Sequence, residues 1–362
     1  MISLSSSSKK KKTCNRWICT SVATILALSY CTPTEALEVV PKVSNSSATT
    51  QQDDIYASRK VLYEKISTVT QIPWYRIAAI DQYERTLTKV HPKDRAHPPR
   101  LTDVYMTPPT WAGALNPDQT DTNALSISVF EGLGKDGSGD QIADPNNDMD
   151  VLYSIASYLL HYGQSHNDFN IALWEYYHNS RAVQRIQQFS KLYEKYTPQQ
   201  LNIHSFPLPL NSVYSYRSTW GSGRNWGGFR IHEGTDLFAG YGLPVRSTCY
   251  GIIEMKGWNS FGGWRIGIRD INNHYHYYAH LMGFEKGVEV GDVVTAGQVI
   301  GYVGSSGYGK PGTQGKFPPH LHYGIYRDSG LIEWSFDPYP LLHQWEQAER
   351  RSLTKGKKGA SS

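Results

Sequence analysis

Cysteine is almost absent from this chain. Of the four in 362 residues, Cys14, Cys19 and Cys31 fall among the first 36, which leaves Cys249 alone in the body. One body cysteine excludes an internal disulfide framework, so stability must come from packed cores. A one-signed charge excess is missing as well. The chain is formally +4, but the first 36 residues carry a net +4 and the tail from Arg350 a net +5, leaving the body at −5. An acidic body lacks the basic footprint of a nucleic-acid binder, and no nucleic-acid partner is expected. A spanning apolar run is lacking too, since the stretch 17–30 is shorter than the ~18–20 residues a membrane helix prefers. Lysines at 9–12, that apolar stretch and then Thr34-Glu35-Ala36 make residues 1–36 read as an export signal, with an uncleaved membrane anchor as the alternative. Bulky Tyr30 before Cys31 argues against a lipoprotein anchor there. Work outside the cytoplasm is expected. What the chain has in quantity is aromatics, 25 Tyr and 10 Trp, rings that fill cores and can also stack on sugars.

At roughly 100–200 residues per domain, the length predicts two folded units. Residues 37–54 are polar and read as a linker. Helical periodicity begins near Ile55, with Val61, Leu62, Ile66 and Val69 as one stripe, then Ile77, Ile80, Tyr83 and Leu87 after Pro73. A loop-rich stretch runs to about Asp148. One further helix is predicted through Leu152, Ile155 and Leu159, and another through Leu173, Val183, Ile186 and Leu192. The helical unit is thus 55–199, and 200–218 is a Pro-punctuated connector. From 219 to 345 short β-type runs alternate with glycines, at 244–248, 251–255, 264–269, 275–280, 298–303 and 320–326, which argues an antiparallel β unit. Residues 346–362 form a basic tail, expected to be disordered after Ser352. The fold class is α+β.

Metal chemistry is concentrated in the β half. His232-x-x-x-Asp236 is followed far downstream by His320-Leu321-His322, with Tyr278-Ala279-His280-Leu281 between them. A catalytic zinc takes three N/O ligands and keeps one position for water. A His-x-x-x-Asp pair at a turn into a strand brings an imidazole and a carboxylate to one ion. In His-x-His on a strand both side chains share a face, because the period is two. One imidazole can then ligate while its neighbour reaches past the metal. Either motif alone fits a surface or core histidine; together they point to a site.

The segments HEGTDLFAGYGLPVRS, YGIIEMKGWNSFGGWRIGIRD, YYAHL, AGQVIGYVGSSG and PPHLHYGIY resemble the LytM/lysostaphin-type zinc peptidases, which cut peptide bonds in bacterial peptidoglycan. The resemblance implies that His232, Asp236 and His322 bind Zn²⁺. It also implies that His280 and His320 handle protons and the oxyanion, without deciding which is the general base. Glu233, by strand alternation, is expected to be a solvated surface carboxylate. The stretch 304–319 replaces a short turn of the family. It either lines the substrate groove, with Tyr308 or Lys310 against wall peptide, or is a tolerated insertion.

Residues 71–196 are similar to a lysozyme-like domain of bacterial transglycosylases, through IAAIDQYERTL, MTPPTW, KDGSGDQIADPNNDMDVLYSIASYLLHYG and ALWEYYHNSRAVQRI. Glu84 falls where that family has its catalytic acid. Arg85 replaces the usual Ser and a Gly-Leu-Met-Gln type segment is missing, and a nearby cation opposes an acid role by lowering the carboxyl pKa. This half is therefore expected to bind glycan or position the peptidase. Asp136-x-Ser138-x-Asp140 with Asp144 resembles a calcium loop, but Gln141 and Asn147 stand where a glycine and a closing Glu belong, so a solvated turn is expected. Taken together, the resemblances imply an exported peptidoglycan endopeptidase with a helical lysozyme-like domain ahead of an antiparallel β-sheet peptidase domain. The combination is similar to sporulation endopeptidases that cut the L-Ala–D-Glu bond, which implies stem-peptide cleavage in the cell wall or spore cortex. The alternatives are a non-catalytic wall-binding or activator protein, and a lytic transglycosylase with an accessory zinc domain.

Overall fold

The structure, a computed structural model, describes residues 48–95 and 97–359; the export signal or anchor expected in 1–36 lies outside the described residues. Among the described residues, no helix is long and apolar enough to cross a membrane. Helices come first: α1 (Ala48–Thr70), α2 (Trp74–Val90), α3 (Pro108–Ala112), α4 (Ala124–Val129), α5 (Asp148–Tyr162), α6 (His166–Tyr177), α7 (Ser180–Lys195) and α8 (Pro198–Leu201). The strands follow as β1 (Tyr214–Tyr216), β2 (Gly223–Arg224), β3 (Arg230–Ile231), β4 (Thr235–Ala239), β5 (Pro244–Arg246) and β6 (Gly251–Asn259). They continue with β7 (Gly263–Asp270), β8 (His274–Phe284), β9 (Val293–Val294), β10 (Val299–Val303), β11 (His320–Asp328) and β12 (Glu333–Phe336), and α9 (Tyr339–Gly359) closes the chain.

Local chemistry sets the helix ends. Asn123, Asn147, Ser165 and Asn179 each accept a backbone N–H at the start of α4, α5, α6 and α7, satisfying donors that have no partner within the helix. Four expectations are corrected. Helix α1 begins at Ala48, inside the predicted linker. On α1 the inner face is Tyr63 and Ile66, while Val61 and Val69 are exposed at 50% and 66%. The helix predicted through Leu173 and Leu192 is two, because His178 adopts the left-handed φ of 46° and Asn179 caps a new start. The tail expected to be disordered continues as α9 to Gly359.

The main sheet runs β1-β4-β11-β8-β7-β6-β9, with β12 on β11 and β10 joining β5 to β8; β2 and β3 form a separate hairpin. The six glycine-bounded runs predicted as strands lie in β5, β6, β7, β8, β10 and β11. One face of the sheet closes a core containing Leu237, Ile253, Ile266, Tyr278, Leu321 and Tyr323. The other face of β4, β8 and β11 is left to line a groove.

Helices and sheet belong to one compact unit. The helical core takes in Tyr250, Ile252 and Ile271 from the sheet half. Beside it, Arg185 of α7 pairs with Glu254 of β6, with Asp328 of β11 at 3.1 Å and with Glu333 of β12 at 3.3 Å. Arg269 joins the same network through Glu254 at 3.0 Å and through Glu333. Arg185→Ala leaves Asp328 buried without its main cation, and removing one partner of a buried pair costs about 3–5 kcal/mol. The expected result is a lower urea midpoint with an unchanged m-value; a midpoint equal to that of the wild type would contradict the coupling.

Candidate metal centre

Strands β4 and β11 are antiparallel with His322 opposite Asp236 and His320 opposite Phe238. The two-residue period therefore puts Asp236, His320 and His322 on the groove face, while Leu237, Leu321 and Tyr323 enter the core. His232 follows β3, and its Nδ1 lies 2.9 Å from the carbonyl of Thr219. That contact requires the proton on Nδ1, so Nε2 presents a lone pair. Nε2 of His232 is 2.8 Å from Nδ1 of His322 and 3.0 Å from Oδ1 of Asp236, and Nδ1 of His322 is 3.1 Å from that same oxygen. Two ring nitrogens and one carboxylate oxygen thus converge on one point. Spacing of this kind suits donors around a zinc with bonds of about 2.0–2.2 Å. Glycine at 234 gives the His322 ring its room, because a Cβ there would meet Cε1 at 2.6 Å.

Arg224 donates to Oδ2 of Asp236 at 2.5 Å, which leaves Oδ1 to face the imidazoles. Burial on its own would raise the Asp236 carboxyl; the imidazoles of His232, His322 and His320 gathered around it outweigh burial and hold the group far below the usual carboxylate range. Burial lowers His322, which favours the neutral imidazole that ligation needs.

His280 and His320 stand beside this set, with ring centroids 4.8 Å apart. Nδ1 of His280 lies 2.7 Å from the carbonyl of Ser306, and Nδ1 of His320 lies 2.8 Å from that of Pro318. Both rings therefore carry the proton on Nδ1 and turn Nε2 inward; for His320, Nε2 is 3.8 Å from Oδ1 of Asp236. Burial pushes both imidazoles below their ordinary value, His280 strongly so. Strict alternation would send His280 into the core with Tyr278. A bulge prevents this: β7 pairs Trp264 with Leu281 but Ile266 with Tyr278, and His280 takes a φ of +61°. The extra residue reverses its face and aims it into the groove.

The groove has a volume of about 530 Å³ and is walled by Arg224, Arg230, Phe238, Phe261, Tyr277, Tyr308 and Phe317 among others. Tyr308 thus reaches it from the long 304–319 stretch; Lys310 is not among the lining residues. Glu233 is exposed on the rim, where Tyr326 donates to it at 3.2 Å. Sequence reasoning missed Arg224, Arg230 and Phe261, whereas Phe317 comes from the same 304–319 stretch as Tyr308. The one available signal was the aromatic and basic density of 224–230 just ahead of His232.

Glu84 lies elsewhere, in a tyrosine-rich cavity of about 610 Å³ on the helical side. Tyr177 donates to its Oε1 at 2.6 Å and Arg95 pairs with its Oε2. Arg85 turns away, to Asp81 and to Asp103 at 2.7 Å, so the cation facing Glu84 is Arg95. In the Asp136 loop the carboxylates are engaged by backbone: Asp136 accepts from Gly139 at 2.6 Å and Gln141 at 2.7 Å, and Asp150 from Ser138 at 2.8 Å.

Residues 230–334 match peptidase family M23. The L-Ala–D-Glu endopeptidase of Bacillus subtilis (strain 168) is 56% identical over 297 residues, covering 82% of this chain and 91% of that one. The chain belongs to peptidase family M23. Lysostaphin of Staphylococcus staphylolyticus is 38% identical over 114 residues, 31% of this chain and 22% of that one. The solved catalytic domain of lysostaphin from Staphylococcus simulans is 32% identical, covers 41% of this chain and 99% of that chain, and superposes with a TM-score of 0.29. The M23 segment contains His232, Asp236, His280, His320 and His322. Similarity to the Bacillus subtilis relative is longer than the whole β half, so it extends into the helices.

Proposed function

We propose that this chain is an exported zinc endopeptidase that hydrolyses the L-Ala–D-Glu bond of peptidoglycan stem peptides, in the cell wall or spore cortex. The observation that carries the bond is the reach of the similarity: the L-Ala–D-Glu endopeptidase matches across 82% of the chain, helices included, whereas lysostaphin matches across 31%. His232 through Nε2, Asp236 through Oδ1 and His322 through Nδ1 would hold the metal. Bound there, Zn²⁺ lowers the pKa of water toward ~7 and polarises the scissile carbonyl. His320, whose Nε2 sits beside the carboxylate ligand, accepts the proton of the attacking water. His280, its ring 4.8 Å from that of His320, turns Nε2 into the same groove, and the pair hands the proton taken from the water to the departing amine as the peptide bond breaks. The carbonyls of Ser306 and Pro318 fix both rings before substrate arrives.

The helical half then serves to hold glycan. The L-Ala–D-Glu bond lies close to the sugar, and a fused glycan-holding module raises the local concentration of stems at the groove. Glu84 is closed off by Tyr177 and Arg95, which fits holding better than cutting. Mass spectrometry of digested sacculi tests the proposal. Expected products are muramic acid bearing only L-Ala and a released peptide with a D-Glu N-terminus. An intact stem with a severed cross-link would reject the bond.

A further inference from the structure

Of the residues that line the groove, two are permanent cations, Arg224 and Arg230. The charge of Arg224 is already matched by Asp236 at 2.5 Å. Arg230 has no carboxylate within ion-pair reach among the described residues. Its hydrogen bonds go to neutral oxygens, Nη1 to the Trp226 carbonyl at 2.7 Å and Nη2 to the Tyr308 hydroxyl at 3.4 Å. The other groove carboxylate, Glu233, is taken by Tyr326.

The guanidinium is also held in place. It lies 4.7 Å from the ring centre of Phe261 and 5.7 Å from that of Tyr308, a cation–π clamp on two sides. Tyr308 in turn stacks on Trp226 at 4.5 Å with planes 4° apart, and meets the His280 ring edge-on at 6.0 Å. The clamp that orients Arg230 therefore abuts a histidine placed next to the metal ligands. An oriented, uncompensated guanidinium offers its planar fork to a carboxylate, which it binds through two parallel hydrogen bonds.

We propose that Arg230 reads the free carboxylate of the glutamyl residue that follows the scissile bond. The inference rests on the L-Ala–D-Glu reading above. Glutamate has two carboxyl groups and the stem continues through one of them, so the other is free on the residue directly after the cut. An extended residue spans about 3.3–3.6 Å, so that carboxylate must be accommodated inside the groove, close to the reacting carbonyl. Arg230 makes the groove selective for an acidic residue on the leaving side, as a specificity residue and not a catalytic one.

The test compares two synthetic muramyl stem peptides, one with this carboxylate free and one with it converted to the carboxamide. Wild type should favour the acid by about 10- to 100-fold in kcat/KM, mainly through KM, as loss of a charged hydrogen-bonded contact predicts. Arg230→Gln should lose a similar factor on the acid and little on the amide, bringing the ratio near one, and Arg230→Lys should fall between. Zinc content equal to wild type shows that the variants keep the metal centre. Equal wild-type rates on both peptides, or a preference that survives Arg230→Gln, would overturn the proposal. Cleavage of both peptides at another bond would instead overturn the bond assignment, and Arg230's role with it.

Discussion

Asp236→Ala is expected to lose its metal and at least about 10³-fold in kcat/KM, since the polarisation a metal supplies is worth several kcal/mol and each 1.36 kcal/mol is a factor of ten. Three protein ligands leave none to spare. The substitution has a second effect in the same direction. Nε2 of His232 and Nδ1 of His322 are 2.8 Å apart, and without the carboxylate nothing anionic remains beside them to offset a divalent cation or to pull their lone pairs to one point. Arg224 would then face a groove with no partner. Arg224→Gln provides the graded comparison, because it keeps all three ligands and removes the cation that pairs with Asp236 and orients it. Loss of a group supporting a ligand costs about 10–100-fold in metal affinity or activity. Metal analysis and a stem-peptide assay on the two variants give the order. Full activity in metal-free Asp236→Ala would contradict the assignment.

His320→Ala should keep its zinc and lose about 10²–10⁴-fold in kcat, the usual worth of a positioned proton-transfer group. Its Nδ1 is committed to the Pro318 carbonyl and its Nε2 stands 3.8 Å from Asp236, outside the close trio of donor atoms. His322→Ala, two residues along the same strand, should lose the metal as well. The contrast depends on strand geometry alone: both rings share a face, but only His322 lies opposite Asp236 in register. His280→Ala should resemble His320→Ala, with metal retained and turnover lost. The reverse pattern, zinc lost from His320→Ala and kept by His322→Ala, would exchange the two roles.

The parts of this site that could be read from sequence are those set by short-range geometry. His-x-His on a strand shares a face, and Asp236 pairs with His322 across two adjacent strands, so alternation alone brings the three groups near one another. The family resemblance points to His280, but period-two alternation alone buries it beside Tyr278. Its place in the groove depends on a bulge and a left-handed φ, which no side-chain pattern announces. Arg224 was illegible for a different reason: it reaches Asp236 from a two-strand hairpin whose register no apolar alternation marks. Glu84 shows the limit of reasoning from neighbours in sequence. The adjacent Arg85 points to Asp81 and Asp103, and the cation that meets Glu84 comes from Arg95, beyond the end of α2. On α1, Val61 and Val69 are apolar but exposed, because Tyr63 and Ile66 define the buried face instead. The Arg185–Arg269 network likewise gathers residues from α7, β6, β7, β11 and β12 that nothing in the linear order joins.

The most direct single measurement is a zinc titration of chelator-stripped protein on purified sacculi, with the released peptides read by mass spectrometry. Expected is no release from the stripped protein, then a rise that levels off at one Zn²⁺ per chain, with D-Glu at the N-terminus of the product. Release at the full rate without bound metal, or a plateau product that carries a severed cross-link and an intact stem, would contradict it.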